Sequence, residues 1–274
     1  MEHSFETPSP IELYVENRAG HITVTAADVD STDILVTGRH ADEFVVEQRG
    51  DKIQVVSPKS RKGFGLLGDS SEAHVEVVMP THSTLTIKSG SADTVVNGDI
   101  AGFWCHTGSG DLEVELVDGL VEIQSGSGDL RLGELRGDTR IKSGSGDINV
   151  DGCSATHVSA GSGDVRIGSV NGKLSVKTGS GDVEVGEAAD DLSLSTGSGD
   201  LSVERAHKGR YVIKGASGDV SIGIPLGTPV WTDLTTLSGD VHSGLTPVGP
   251  PADGQDHLEL RVTTASGDIN LHQL

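Results

Sequence analysis

From residue 85 onward, apolar and polar positions alternate in two short runs per repeat, and the repeat returns about every 18 residues. One run places its apolar pair at Leu112/Val114, Leu130/Leu132, Ile148/Val150, Val165/Ile167, Val183/Val185, Leu201/Val203, Val220/Ile222 and Ile269/Leu271, with Val241 opening another. The other run reads Leu85/Ile87, Phe103/Cys105, Val121/Ile123, Thr139/Ile141, Thr156/Val158, Leu174/Val176, Leu192/Leu194, Tyr211/Ile213, Thr232/Leu234 and Leu260/Val262. A period of two marks a strand with one buried face. Helices are excluded, because the apolar period is not 3.6 and glycine recurs too often.

Between the two runs stands a Ser-Gly-Asp turn. Its aspartates are Asp111, Asp129, Asp147, Asp164, Asp182, Asp200, Asp219, Asp240 and Asp268, with Asp93 in the variant Gly90-Ser91-Ala92-Asp93. The spacings from Asp93 are 18, 18, 18, 17, 18, 18, 19, 21 and 28 residues. Such a period means stacked coils of two strands, each strand pairing with its equivalent one turn away. The predicted fold is all-β, a parallel β-solenoid of about 18-residue coils, right-handed by the usual rule for parallel crossovers.

The first 84 residues alternate too, at Ile11/Leu13/Val15, Ile22/Val24, Ile34/Val36, Ile53/Val55 and Val75/Val77, but with uneven connections. They are read as an irregular N-terminal β cap (1–84) before the solenoid (85–274). Residues 244–254, with Pro247, Pro250 and Pro251, read as an inserted loop. After Asp268 only half a coil remains, so the C-terminal coil is expected to be an open end, covered by that loop or by a second subunit in a homodimer.

Abundant glycine (38 residues) and scarce aromatics (3%) suit tight turns around a thin aliphatic core. A formal net charge of −21 repels phosphate backbones and anionic lipids, which excludes charge-driven nucleic-acid binding. No run has the length of a transmembrane helix. Met1 to Pro10 has no apolar run and is not a signal peptide, and Cys105 and Cys153 form no CxxC pair, so the expected compartment is the cytoplasm.

The stacked aspartates raise two readings. Like charges about 5 Å apart repel by about 1 kcal/mol in water, so something must offset them. Either each carboxylate accepts backbone N–H groups of its own or an adjacent turn, or divalent cations sit between turns. Asp111, Asp129, Asp147, Asp164, Asp182 and Asp200 are the calcium candidates under the second reading. The spacing departs from the calcium-binding nonapeptide repeat, since one such Asp occurs per coil. The scattered histidines show no metal spacing, and no nucleophile elbow exists without a helix. No catalytic or cofactor-binding residue is assigned. A carbohydrate-active enzyme would need paired acids in a cleft with aromatic platforms, for which Trp104, Trp231, Tyr14 and Tyr211 are the main supply. One segment mixes cations with apolar residues in this acidic chain: Lys59, Arg61, Lys62, Phe64, Leu66 and Leu67 are candidates for docking an unidentified protein partner.

The repeated Gly-Ser-Gly-Asp-Leu/Val-x-Val, with Ile11-Glu-Leu-Tyr-Val-Glu-Asn-Arg-Ala-Gly-His-Ile-Thr-Val24 at the start, resembles a bacterial β-strand-repeat family of unknown function known as putative adhesins, in its cytoplasmic-looking actinobacterial form. The resemblance covers essentially the whole chain. It implies the solenoid and supplies no catalytic residues. The expected function is a non-enzymatic, self-associating scaffold; the alternatives are a polymer- or calcium-binding repeat protein and a carbohydrate-active enzyme on a solenoid.

Overall fold

A computed structural model describes residues 1–58, 72–252 and 254–274. The chain is all-β and divides into two compact units, Met1–Arg136 and Gly137–Leu274. Both are built as parallel β-solenoid.

In the first unit, strand Glu12–Ala27 forms a whole coil. It pairs in parallel with Thr84–Ile100, matching Leu13 to Leu85, Val15 to Ile87 and Val24 to Val96. The stack continues through Gly102–Thr107 and Leu112–Val117, then Val121–Ser125 and Leu130–Leu135. The chain between these first two coils turns to the other edge of Glu12–Ala27. Lys52–Val56 and Ala73–Pro80 pair with it in parallel there. Antiparallel strands follow: Val45–Arg49 on Lys52–Val56, Ser31–Gly38 on Ala73–Pro80, and Glu2–Glu6 on Ser31–Gly38. Short, charged, antiparallel outer strands blunt an edge that would otherwise recruit another chain.

In the second unit, five coils stack in sequence order from Thr139 to Ile224. The order then breaks. Leu258–Ser266 pairs with Gly209–Ser217 on one side and with Val230–Ser238 on the other. Ile269–Gln273 likewise lies between Val220–Ile224 and Val241–Ser243. The C-terminal coil is therefore an inner coil, and Val230–Ser243 is outermost. This corrects two expectations: that every coil stacks on its predecessor, and that the last coil in sequence is the open end. The reason is in the side chains. The C-terminal coil carries Leu258, Leu260, Val262, Ile269 and Leu271, all at most 3% exposed. The coil before it has Thr232 and Ser243 at the corresponding positions, so it loses least by standing at the end. Its inward positions Thr232, Leu234 and Val241 are accordingly not buried.

Elsewhere the inward register matches the alternation, as in Ile141, Val158, Val176, Leu194 and Ile213, at most 1% exposed. Further buried positions, missed in the sequence, are Val117 and Leu135 in the first unit and Cys153, Val170, Ala188, Ala206 and Ile224 in the second, at the far ends of their strands. Cys105 and Cys153 are both buried and occupy core columns.

Candidate functional site

The aspartate turns stack as predicted and hold one another. The Asp93 carboxylate accepts the backbone N–H of Asp111 at 3.0 Å, and Asp111 accepts that of Asp129 at 2.9 Å. In the second unit Asp147, Asp164, Asp182 and Asp200 accept from Asp164, Asp182, Asp200 and Asp219 at 2.8 to 3.0 Å. The row ends through Asp219 and Asp268, each accepting at 2.8 Å, the latter from Asp240. Each of these eight carboxylates thus satisfies an amide of the adjoining coil, which offsets the repulsion between neighbours.

Inside most corners lies a second row. Four residues before the aspartates stand Ser89, Thr107, Ser125, Ser143, Thr178, Thr196 and Thr264, all buried. Their hydroxyls donate to turn carbonyls. In the first unit the acceptor is the residue before Asp: Ala92, Gly110 and Gly128, at 3.2 to 3.5 Å. In the second unit it is one residue earlier: Ser145, Ser180, Ser198 and Ser266, at 3.1 to 3.3 Å. The turn itself differs between the two units. The glycine before Asp takes φ from 113° at Gly146 to 150° at Gly239 in the second unit, whereas Gly110 and Gly128 keep ordinary φ. Ordinary φ allows Ala92 at this position, whereas at Gly110 and Gly128 a Cβ would still stand 2.0 Å from a carbonyl oxygen of the neighbouring coil. These hydroxyls escape a sequence reading because Ser and Thr near a turn look like solvated residues.

The calcium candidates do not gather into a three-ligand cluster. Among the described residues the one such cluster is His82, Asp99 and Asp118, whose ligand atoms lie within 4.8 Å of one another. His82 Nδ1 stands 3.5 Å from Asp99 Oδ2 and 3.9 Å from Asp118 Oδ2. Arg136 donates to Asp118 Oδ1 at 2.8 Å. Asp99 and Asp118 are half-buried, His82 is exposed, and Arg136 supplies a cation to the group. The docking candidates Lys59, Arg61, Lys62, Phe64, Leu66 and Leu67 lie outside the described residues.

Burial pushes the Cys105 thiol up to about 12, which makes it inert at neutral pH. His157 is lowered by burial and then by Lys177, Arg140 and Lys142. Asp191 is lowered chiefly by the backbone N–H of Arg210, which it accepts at 3.0 Å.

The outermost coil of the second unit brings three apolar side chains to solvent. Leu237 is 83% exposed, Trp231 53% and Val241 45%. The Pro-rich segment beyond it bends back instead, with Gly244 N–H donating to the Leu271 carbonyl and Thr246 N–H to the Gln273 side chain.

The repeat, the turn and the coil geometry agree with the family model described as Toastrack DUF4097, which matches residues 11–272. The chain belongs to the Toastrack DUF4097 family. No curated protein matches it. Among solved structures it is similar to a putative adhesin from Bacteroides fragilis, at 13% identity over 99% of this chain and 96% of that one, with a TM-score of 0.43. It is also similar to a putative lipid binding protein from Parabacteroides distasonis, at 15% identity over 100% of this chain and 96% of that one, with a TM-score of 0.37. A putative adhesin from Parabacteroides merdae matches at 11% identity over 98% and 95%, with a TM-score of 0.28. The family and these neighbours are not named as enzymes.

Proposed function

We propose that this Toastrack protein is a non-enzymatic scaffold that self-associates through the outermost coil of its second unit, Val230–Ser243. The observation that carries the reading is the exposed trio Trp231, Leu237 and Val241 on strands that pair on one side only among the described residues. An unpaired strand edge with apolar side chains is a template for another strand. The Pro-rich segment leaves Leu237 and Trp231 uncovered, which favours a second copy as the cover. The outermost strands of the first unit argue by contrast, since Val45–Arg49 and Glu2–Glu6 carry Glu47, Arg49, Glu2 and Glu6. Local charge does not oppose contact, because Asp233 pairs with Arg261 at 3.0 Å. A twofold pairing of like edges is the simplest closed arrangement.

Light scattering tests this. The full chain is expected to be dimeric at about 100 µM, and Leu237→Lys with Trp231→Lys is expected to give a monomer with an unchanged melting temperature. A monomeric full chain at that concentration refutes the proposal.

A further inference from the structure

Strands Val45–Arg49, Lys52–Val56, Glu12–Ala27, Thr84–Ile100 and Gly102–Thr107 present one outer face, and a groove of about 700 Å³ runs over it. Register places one row of side chains across this face: Glu47, Gln54, Tyr14, Thr86 and Trp104. Two rings therefore stand on the same face, two strands apart, which is about 10 Å. Both are held in place. The Tyr14 hydroxyl donates to Glu16 Oε2 at 2.9 Å. The six-membered ring of Trp104 reaches back over Gly102, 3.1 Å from where a Cβ would stand. A Cβ there would make the ring give by a few tenths of an ångström, and a branched side chain by more.

The charges of the groove cancel. Lys52 Nζ lies 2.7 Å from Glu12 Oε2, and Arg49 Nη2 lies 2.9 Å from Glu47 Oε2, which also accepts from Gln54 at 3.2 Å. In a chain of net charge −21, the groove lining carries two anions and two cations, with Glu16 beside Tyr14 adding one carboxylate. Its apolar residues Leu13 and Ile53 are buried beneath the surface, at 2% and 1% exposure, so the exposed floor is rings, threonine hydroxyls and paired polar groups. Neutral polar ligands with apolar C–H faces match such a floor. Their C–H faces stack on the rings, and their hydroxyls bond to planar Glu, Gln and Arg groups. The carboxylates Glu12 and Glu47 are each tied to a cation, so no free acid pair is available for hydrolysis.

We infer that the groove between Tyr14 and Trp104 binds a neutral oligosaccharide, stacked on both rings. The inference concerns the first unit alone and does not depend on self-association.

Calorimetric titration of the full chain with maltohexaose, cellohexaose and N-acetylchitohexaose tests it. At least one is expected to bind saturably, with a dissociation constant between about 10 µM and 1 mM. Tyr14→Ala, Trp104→Ala and Gly102→Val are each expected to weaken binding by about tenfold or more, while Tyr14→Phe, which keeps the ring, stays within about threefold. Melting curves show that each variant is folded, and Gly102→Val leaves both rings in the sequence should Trp104→Ala fail to fold. Absence of saturable heat with all three sugars overturns the inference. So does unchanged binding in folded Tyr14→Ala, or binding to neutral phosphatidylcholine vesicles with none of the sugars.

Discussion

The Asp219 carboxylate accepts the backbone N–H of Asp268 at 2.8 Å, although 49 residues separate them. Asp240, which is nearer in sequence, is bound one coil further out, its N–H donating to Asp268. The aspartate row thus records the order of coils in space, 219, 268, 240, and shows the C-terminal coil wedged between two coils that precede it in sequence.

Removing residues 258–274 is therefore expected to do more than shorten the stack. It takes away the only strand partners of Val230–Ser243 among the described residues and bares the Tyr211 coil. Hydrogen exchange should show residues 230–243 losing protection completely, with residues 209–224 weakened. Retained protection across 230–243 would show that this coil can stack directly on its predecessor.

The ladder aspartates act as acceptors, so their charge is dispensable. Asp182→Asn keeps an acceptor oxygen for the Asp200 N–H and is expected to change stability by less than about 0.5 kcal/mol, while Asp182→Ala loses about 1 kcal/mol. Urea denaturation separates the two. Equal losses would assign the residue's value to its charge.

The buried corner hydroxyls are expected to matter more than their ordinary appearance suggests. Thr196→Val keeps the shape but removes one of the two donors to the Ser198 carbonyl, which retains the Gly181 N–H, at a cost of about 0.5–1.5 kcal/mol. In the same column Gly215 has room, since a Cβ would meet only Thr264, at 3.4 Å or beyond. Gly215→Thr is expected to stabilise by about 0.5–1 kcal/mol in thermal melts.

Glycine before Asp is a different matter in the second unit. Gly181 has φ of 126°, and a Cβ there would collide with the Gly163 carbonyl oxygen. Gly181→Ala is expected to cost about 3 kcal/mol or more in a urea titration, from strain and collision together.

Alkaline stability should depend on Cys105. Its folded value of about 12 lies above the ordinary 9.0, so the unfolded chain releases the thiol proton first. The contribution is complete below pH 9 and disappears as pH rises towards 12. Cys105→Val, flanked in its column by Ile87 and Ile123, is expected to flatten the fall in melting temperature over that window. A fall equal to that of the parent chain would place the dependence on other groups, Tyr14 and Tyr211 being the next candidates because burial raises both.

Much of the fold was legible because a one-residue slip of a strand turns its apolar set outward. Pairs such as Val183/Val185 and Leu174/Val176 therefore fixed which face is core, and the Ser-Gly-Asp turn fixed where each coil bends. The aspartates were legible as turn acceptors for the same reason. The corner hydroxyls were not, because nothing in Thr178 or Thr196 distinguishes a buried hydroxyl from a solvated one. Nor was the groove, since Tyr14 and Trp104 stand 90 residues apart and meet only through the register of three strands.

Period, turn and inward register followed from the sequence alone, because they depend on interactions within a coil. Coil order did not. Coils with matching apolar columns can stack on one another interchangeably, so local pattern cannot say which is the neighbour of which. The tertiary structure settled it by burial: the richly apolar Leu258–Gln273 lies inside, and the coil with Thr232 and Ser243 faces out.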